Sequence, residues 1–123
     1  MNLVDSSGWL EYFSDGVNAE NFSAPLNEKE TLLVPTISLY EVFEVVLRER
    51  DENSALQVIA IMQQCRIVEL TPRIALQAAK ISIDYKLPMA DSIIFTTAQL
   101  FNATIWTQDV DFKDLPNVKY FSK

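Results

Sequence analysis

Histidine is absent from the chain. With it go the Ser-His-Asp and Cys-His hydrolases and the nucleases that depend on a histidine base. Cysteine occurs once, at Cys65, which excludes an intrachain disulfide and, without histidine, a structural zinc site. Glycine occurs twice and proline five times, against 49% hydrophobic residues, so a disordered or low-complexity chain is excluded. No apolar run approaches the roughly 20 residues that span a bilayer. The N-terminus also lacks a basic region leading into a signal-type apolar segment. The expectation is a cytoplasmic protein with no membrane partner. Positive charge is scarce as well: 10 Lys and Arg face 17 Asp and Glu, for a formal net charge of -7. That balance argues against tight, non-specific nucleic-acid binding through bulk charge and invites cations or a basic partner. At 123 residues the chain has the length of one domain, spanning 1–123.

What is present is an alternation of short apolar runs with helical stripes. Asn2–Val4, Leu32–Val34, Arg66–Leu70, Thr104–Thr107 and Val118–Phe121 read as five strands. Between them, Trp9, Tyr12 and Phe13 mark a short helix, and Phe22 and Leu26 a second small one that Pro25 limits. Leu39, Val42, Phe43, Val46 and Leu47 recur at helical spacing after Pro35. Leu56, Ile59 and Met62 do so after a cap at Asn53 or Ser54. Thr71-Pro72 opens a long helix reaching about Lys86. Pro88 separates it from a helix beginning near Ala90, whose stripe is Ile93, Ile94, Thr97, Ala98 and Phe101, with Asn102 as the stop. Tight hairpin signals are missing. The pattern predicts an α/β sandwich around a mostly parallel sheet. The aromatic Trp9, Tyr12, Phe43 and Trp106 read as core or dimer surface.

This topology puts acids at one edge. Asp5 ends the first strand and Asp109 the fourth, while Glu41 and Asp91 lie in the first turns of helices that follow strand ends or run antiparallel to a strand. In open α/β sheets that edge is where ligands bind. Each acid also has a plain structural reading. Asp5 caps a helix, Ser38 and Glu41 form a capping box, Asp91 favours a helix dipole, and Asp109 and Asp111 are turn residues. Four together point elsewhere, because crowded carboxylates raise one another's pKa unless a cation compensates. All-oxygen ligation suits Mg²⁺ or Mn²⁺, and open positions on such an ion suit phosphodiester hydrolysis.

Four blocks carry a resemblance: L-V-D-S-S at Leu3–Ser7, V-P-T-I-S-L-Y-E-V at Val34–Val42, L-P-M-A-D-S-I-I at Leu87–Ile94 and T-Q-D-V-D-F at Thr107–Phe112. In order and spacing the chain resembles the PIN-domain ribonucleases, and within them the VapC-type toxins of toxin-antitoxin pairs. The resemblance implies a three-layer sandwich with a central five-stranded sheet flanked by helices. It places Asp5, Glu41, Asp91 and Asp109 at four catalytic acidic positions, without departure at any of them. Asp5, Asp91 and Asp109 become metal ligands, Asp5 and Asp91 foremost. Ser6 and Thr107 become supporting hydroxyls, and Asp111 a more variable acid of second rank. The implied activity is Mg²⁺-dependent endoribonuclease action, in which a metal-activated water attacks in line and leaves a 5′-phosphate and a 3′-hydroxyl. Arg48, Arg50, Lys86 and Lys113 are candidates to guide RNA, although a solvated surface is the commoner role for such residues. The implied partners are RNA, a cognate antitoxin with a basic tail, and a second copy in a homodimer.

Two other folds with acids around Mg²⁺ fail on particular residues. A phospho-receiver domain needs an acid at the end of the third strand, where this chain has Leu70 and Thr71. A haloacid-dehalogenase-like phosphatase needs D-x-D after the first strand, and position seven is Ser7. A catalytically idle binding subunit built on the same fold remains the alternative.

Overall fold

The computed structural model describes residues 1–123. Five strands, β1 (Asn2–Val4), β2 (Leu32–Pro35), β3 (Arg66–Val68), β4 (Thr104–Thr107) and β5 (Val118–Tyr120), form one sheet in the order β3-β2-β1-β4-β5. Every pairing is parallel, so the expected mostly parallel sheet is wholly parallel. Six helices cover it: α1 (Ser6–Phe13), α2 (Ala19–Leu26), α3 (Thr36–Glu49), α4 (Glu52–Met62), α5 (Pro72–Tyr85) and α6 (Met89–Leu100). Short 3₁₀ turns at Lys29–Thr31 and Val110–Phe112 complete the chain.

Successive side chains of a strand point to opposite faces, and the two cores follow that alternation. Val4, Leu32 and Val34 pack with Trp9, Phe22, Val42 and Met62 from α1 to α4. Leu3, Leu33 and Ile105 pack on the other face with Ile81, Ile94, Phe95 and Ala98 from α5 and α6. The result is a three-layer α/β/α sandwich. α1 lies so close to the sheet that a Cβ on Gly8 would come within 2.5 Å of Val4 Cγ1 and 2.9 Å of Phe22 Cε1, which explains glycine there.

Local details depart from the sequence reading for identifiable reasons. The α4 cap is Asp51, whose Oδ1 accepts from Ser54 N at 2.7 Å, rather than Asn53 or Ser54. The Ser38–Glu41 capping box does not form, because α3 starts at Thr36 and Ser38 lies inside it, buried, with its hydroxyl unpartnered. Leu47 and Leu56 are exposed, since nothing covers those flanks of α3 and α4. β3 stops at Val68, short of Leu70, and α6 starts at Met89.

The chain runs outward from β1 through β2 to β3 and then crosses to β4 on the other side of β1. The strand order therefore reverses between β1 and β4. In open α/β sheets the crevice at the carboxyl ends of the strands flanking that reversal is the ligand site. Asp5 follows β1 and Asp109 follows β4.

Candidate active site

Each acid reaches this crevice by a different local device. Asp5 caps α1: Oδ1 accepts from Gly8 N at 3.0 Å and from the Ser7 hydroxyl at 2.8 Å. Its Oδ2 accepts from the Thr107 hydroxyl at 2.8 Å. Asp109 N donates to Thr107 Oγ1 at 2.9 Å, and Asp109 Oδ1 accepts from Asp111 N at 2.9 Å, which turns the chain into the 3₁₀ segment. Asp91 lies in the first turn of α6, placed by Pro88 just ahead of it. Glu41 sits one and a half turns into α3, where its Oε1 accepts from the Ser6 hydroxyl at 2.6 Å.

Asp91, Asp109 and Asp111 each offer a carboxylate oxygen, and these oxygens lie within 4.8 Å of one another. Asp111, of second rank in the sequence reading, is thus part of the tightest group. Asp5 stands beside it, close enough that the charge on Asp109 acts on Asp5 and the charge on Asp5 acts on Asp91. Glu41 is joined through Ser6 alone. Two residues of the network carried no role in the sequence reading. Ser7 bonds Asp5, accepts from Gln108 N at 3.2 Å and lies 3.4 Å from the Thr107 hydroxyl. Gln108 is buried immediately before Asp109. A hydroxyl two residues after a strand-end acid was the available signal for Ser7, and Gln108 had none.

The family model of the PIN domain matches residues 3–118. The chain belongs to the PIN domain family. No curated protein sequence matches this PIN domain. Among solved structures it is similar to a chain of a toxin-antitoxin complex from Klebsiella pneumoniae, with a TM-score of 0.82, 22% identity and 100% of each chain covered. It is also similar to VapC20 of Mycobacterium tuberculosis, described as a sarcin-ricin loop cleaving toxin. There the TM-score is 0.81 and the identity 16%, over 96% of this chain and 97% of that one. VapBC2 from Rickettsia felis, solved on a promoter DNA fragment, follows with a TM-score of 0.74 and 16% identity, over 98% and 97%.

The electrostatics of this PIN domain are unbalanced at the crevice. Its single ion pair, Arg48 Nη1 to Glu44 Oε1 at 3.7 Å, lies on the surface of α3, so no lysine or arginine neutralises the acids. Burial pushes the Asp5 carboxyl up to about 6, against the pull of Thr107, Ser7 and Gly8 N, which favour the ionised form. Asp91 is pushed up to about 8, first by burial, then by the charge on Asp109 and by the hydrogen bond and charge of Asp111. Three hard oxygen donors at this spacing, repelling one another and unpaired, fit a divalent cation of the Mg²⁺ or Mn²⁺ class. Asp91, Asp109 and Asp111 would hold it, with Asp5 adjoining.

Thr107 is the hinge of the arrangement, since one hydroxyl donates to Asp5 and accepts from Asp109 N. Thr107→Val keeps the volume and strands both partners. The expected loss is about 1–3 kcal/mol of stability, read as a lower urea midpoint at unchanged slope, with Thr107→Ser close to wild type. Equal midpoints for Val and Ser would show that the hydroxyl holds nothing.

Proposed function

We propose that residues 1–123 act as one domain, a divalent-metal-dependent endoribonuclease serving as the toxin of a toxin-antitoxin pair in the cytoplasm. The observation that carries the reading is the group of Asp91, Asp109 and Asp111, with carboxylate oxygens within 4.8 Å and no lysine or arginine in ion-pair contact with them. Membership in the PIN domain family, whose members are generally nucleases, supports it. So do the similar structures described as a toxin-antitoxin complex and as a sarcin-ricin loop cleaving toxin. A net charge of -7 suits an antitoxin that docks through basic residues, and a homodimer is the proposed resting assembly. No helix is long and apolar enough to cross a membrane.

In this reading Asp91, Asp109 and Asp111 hold Mg²⁺ or Mn²⁺, which when bound lowers the pKa of water and offsets charge on a phosphate. Asp5 is locked by three hydrogen bonds, so its charge is presented at a constant position and the geometry costs nothing to reorganise during reaction. Thr107 couples that position to the backbone of Asp109. Ser6 steers Glu41 toward the same edge.

Hydrolysis at such a site needs no 2′-hydroxyl, so the products should carry 5′-phosphate and 3′-hydroxyl ends. Ligation-based end mapping of RNA cut by antitoxin-free protein tests this. Fragments whose 3′ ends accept an adapter without phosphatase treatment agree with the proposal. Cyclic-phosphate ends would overturn hydrolysis by a metal-activated water, and no cut from folded protein across several RNA pools would replace the nuclease with the idle binding-subunit reading.

A further inference from the structure

Beside the acidic group lies a concavity of about 380 Å³ lined by Ser7, Gln108, Asp109, Val110, Tyr120 and Lys123. The sheet register explains its composition. Tyr120 pairs with Thr107 across the parallel β4–β5 ladder, and paired residues of neighbouring strands present their side chains to the same face. Tyr120 therefore stands on the face from which Thr107 reaches Asp5. Lys119, its neighbour in sequence, lies on the other face, with Nζ 4.4 Å from the Trp106 ring centroid. The ammonium of Lys113 lies 5.8 Å from the Tyr120 ring centroid and adds positive charge beside it.

Lys123 is brought there by a tail that is fastened at each preceding residue. Phe121 N donates to Thr107 O at 2.9 Å, and the Phe121 ring packs edge-on against Phe22 at 5.4 Å. The Asn18 amide donates both to Ser122 O at 3.1 Å and to Gln108 Oε1 at 3.0 Å. Asn18 and Gln108 are buried, so the residue before Asp109 and the residue before Lys123 hang from one side chain. Lys123 has no carboxylate partner, because Arg48–Glu44 is the sole ion pair. The structure thus holds an uncommitted cation and an aromatic ring next to an acid group, in a chain whose overall charge repels polyanions.

We infer that this concavity is a subsite for one nucleotide of single-stranded RNA adjoining the scissile phosphate, with Tyr120 stacking on the base and Lys123 contacting a phosphate oxygen. The inference rests on the nuclease reading above. A volume of about 380 Å³ is at the lower end of ligand pockets, the size of a small ligand. Base stacking on an aromatic ring tolerates any sequence, and a lysine supplies the phosphate contact that bulk charge does not. Local placement of this kind resolves the conflict between an acidic protein and an acidic substrate.

The test uses full-length, antitoxin-free protein with two readouts: steady-state cleavage of an oligoribonucleotide in Mg²⁺, and anisotropy of a labelled random-sequence oligoribonucleotide in EDTA. Tyr120→Ala should raise KM and Kd about tenfold with kcat within about twofold, while Tyr120→Phe stays near wild type. Lys123→Gln should reduce the slope of log binding against log salt by about 0.7, and Lys123→Arg should not. Unchanged KM, Kd and salt slope overturn the subsite. So does a Tyr120→Ala variant that loses kcat and melting temperature together at unchanged Kd, or wild-type protein that binds no oligoribonucleotide. Binding with the expected variant effects but without cleavage retains the subsite and rejects the nuclease reading. Cleavage with unmoved KM does the reverse.

Discussion

Asp91→Asn is expected to lower metal-dependent RNA cleavage by on the order of 10³-fold and at the same time to raise the melting temperature of the metal-free protein. Asparagine keeps the shape of the side chain and removes its charge from the group it forms with Asp109 and Asp111. Activity should fall because a cation loses one of three carboxylates. Stability should rise because the wild-type carboxyl is costly: burial, the Asp109 charge and Asp111 together push it up to about 8. Above the ordinary carboxylate range, folding must therefore either retain a proton on Asp91 or bury repelling charges. Asparagine needs neither. A gain of roughly 5 °C in EDTA, widening from pH 5 to pH 9, is the expected result by thermal melting. A melting temperature that falls along with activity would mean that Asp91 supports the fold and that the lost cleavage reports unfolding.

The metal-free wild-type protein should lose stability as pH rises from about 4 to about 8. Asp5 moves up from 3.8 to about 6 and Asp91 from 3.8 to about 8, so across that window the folded state keeps protons that the unfolded chain has released. Stability then decreases with pH. The contribution is fully present below pH 4 and is lost as pH passes each folded-state value. For the buried Asp5 the shift corresponds to about 3 kcal/mol. Cations bind deprotonated ligands and stabilise the state that holds them. Millimolar Mg²⁺ should therefore add little at pH 5 and several degrees at pH 8. Melting curves from pH 5 to 9 in EDTA and in Mg²⁺ check both halves. A metal-free melting temperature that climbs toward pH 8, or a Mg²⁺ increment independent of pH, would contradict the account of these acids.

The parts of this site that were legible in the sequence are those set by single strand ends. Short apolar runs closing in Asp5 and Asp109, with helices between them, place both acids at one edge once the sheet is parallel. The strand order β3-β2-β1-β4-β5 then makes them neighbours. Asp111 was harder to rank, because its place beside Asp91 depends on a single turn hydrogen bond, from its own N–H to Asp109. Ser7 and Gln108 were not readable in their roles. Their importance lies in bonds to residues about 90 to 100 positions away, Thr107 and Asn18 among them. Helix flanks show the same limit. Leu47 and Leu56 fit their apolar stripes, yet both are exposed, since a stripe does not reveal how wide a face its neighbours cover. The capping box at Ser38 and Glu41 fits the residue spacing, but Pro35 starts the helix earlier, and Glu41 is left to bond Ser6.

The proposed function has this crowded acidic group, which no lysine or arginine of the protein pairs, work with a divalent cation to cut RNA. Cleavage of total RNA by purified, antitoxin-free wild-type protein, in Mg²⁺ and in EDTA, beside folded Asp5→Asn, tests it most directly. Discrete products are expected in Mg²⁺, none in EDTA, and none above background from Asp5→Asn. Cleavage that survives EDTA or persists in the variant would contradict it.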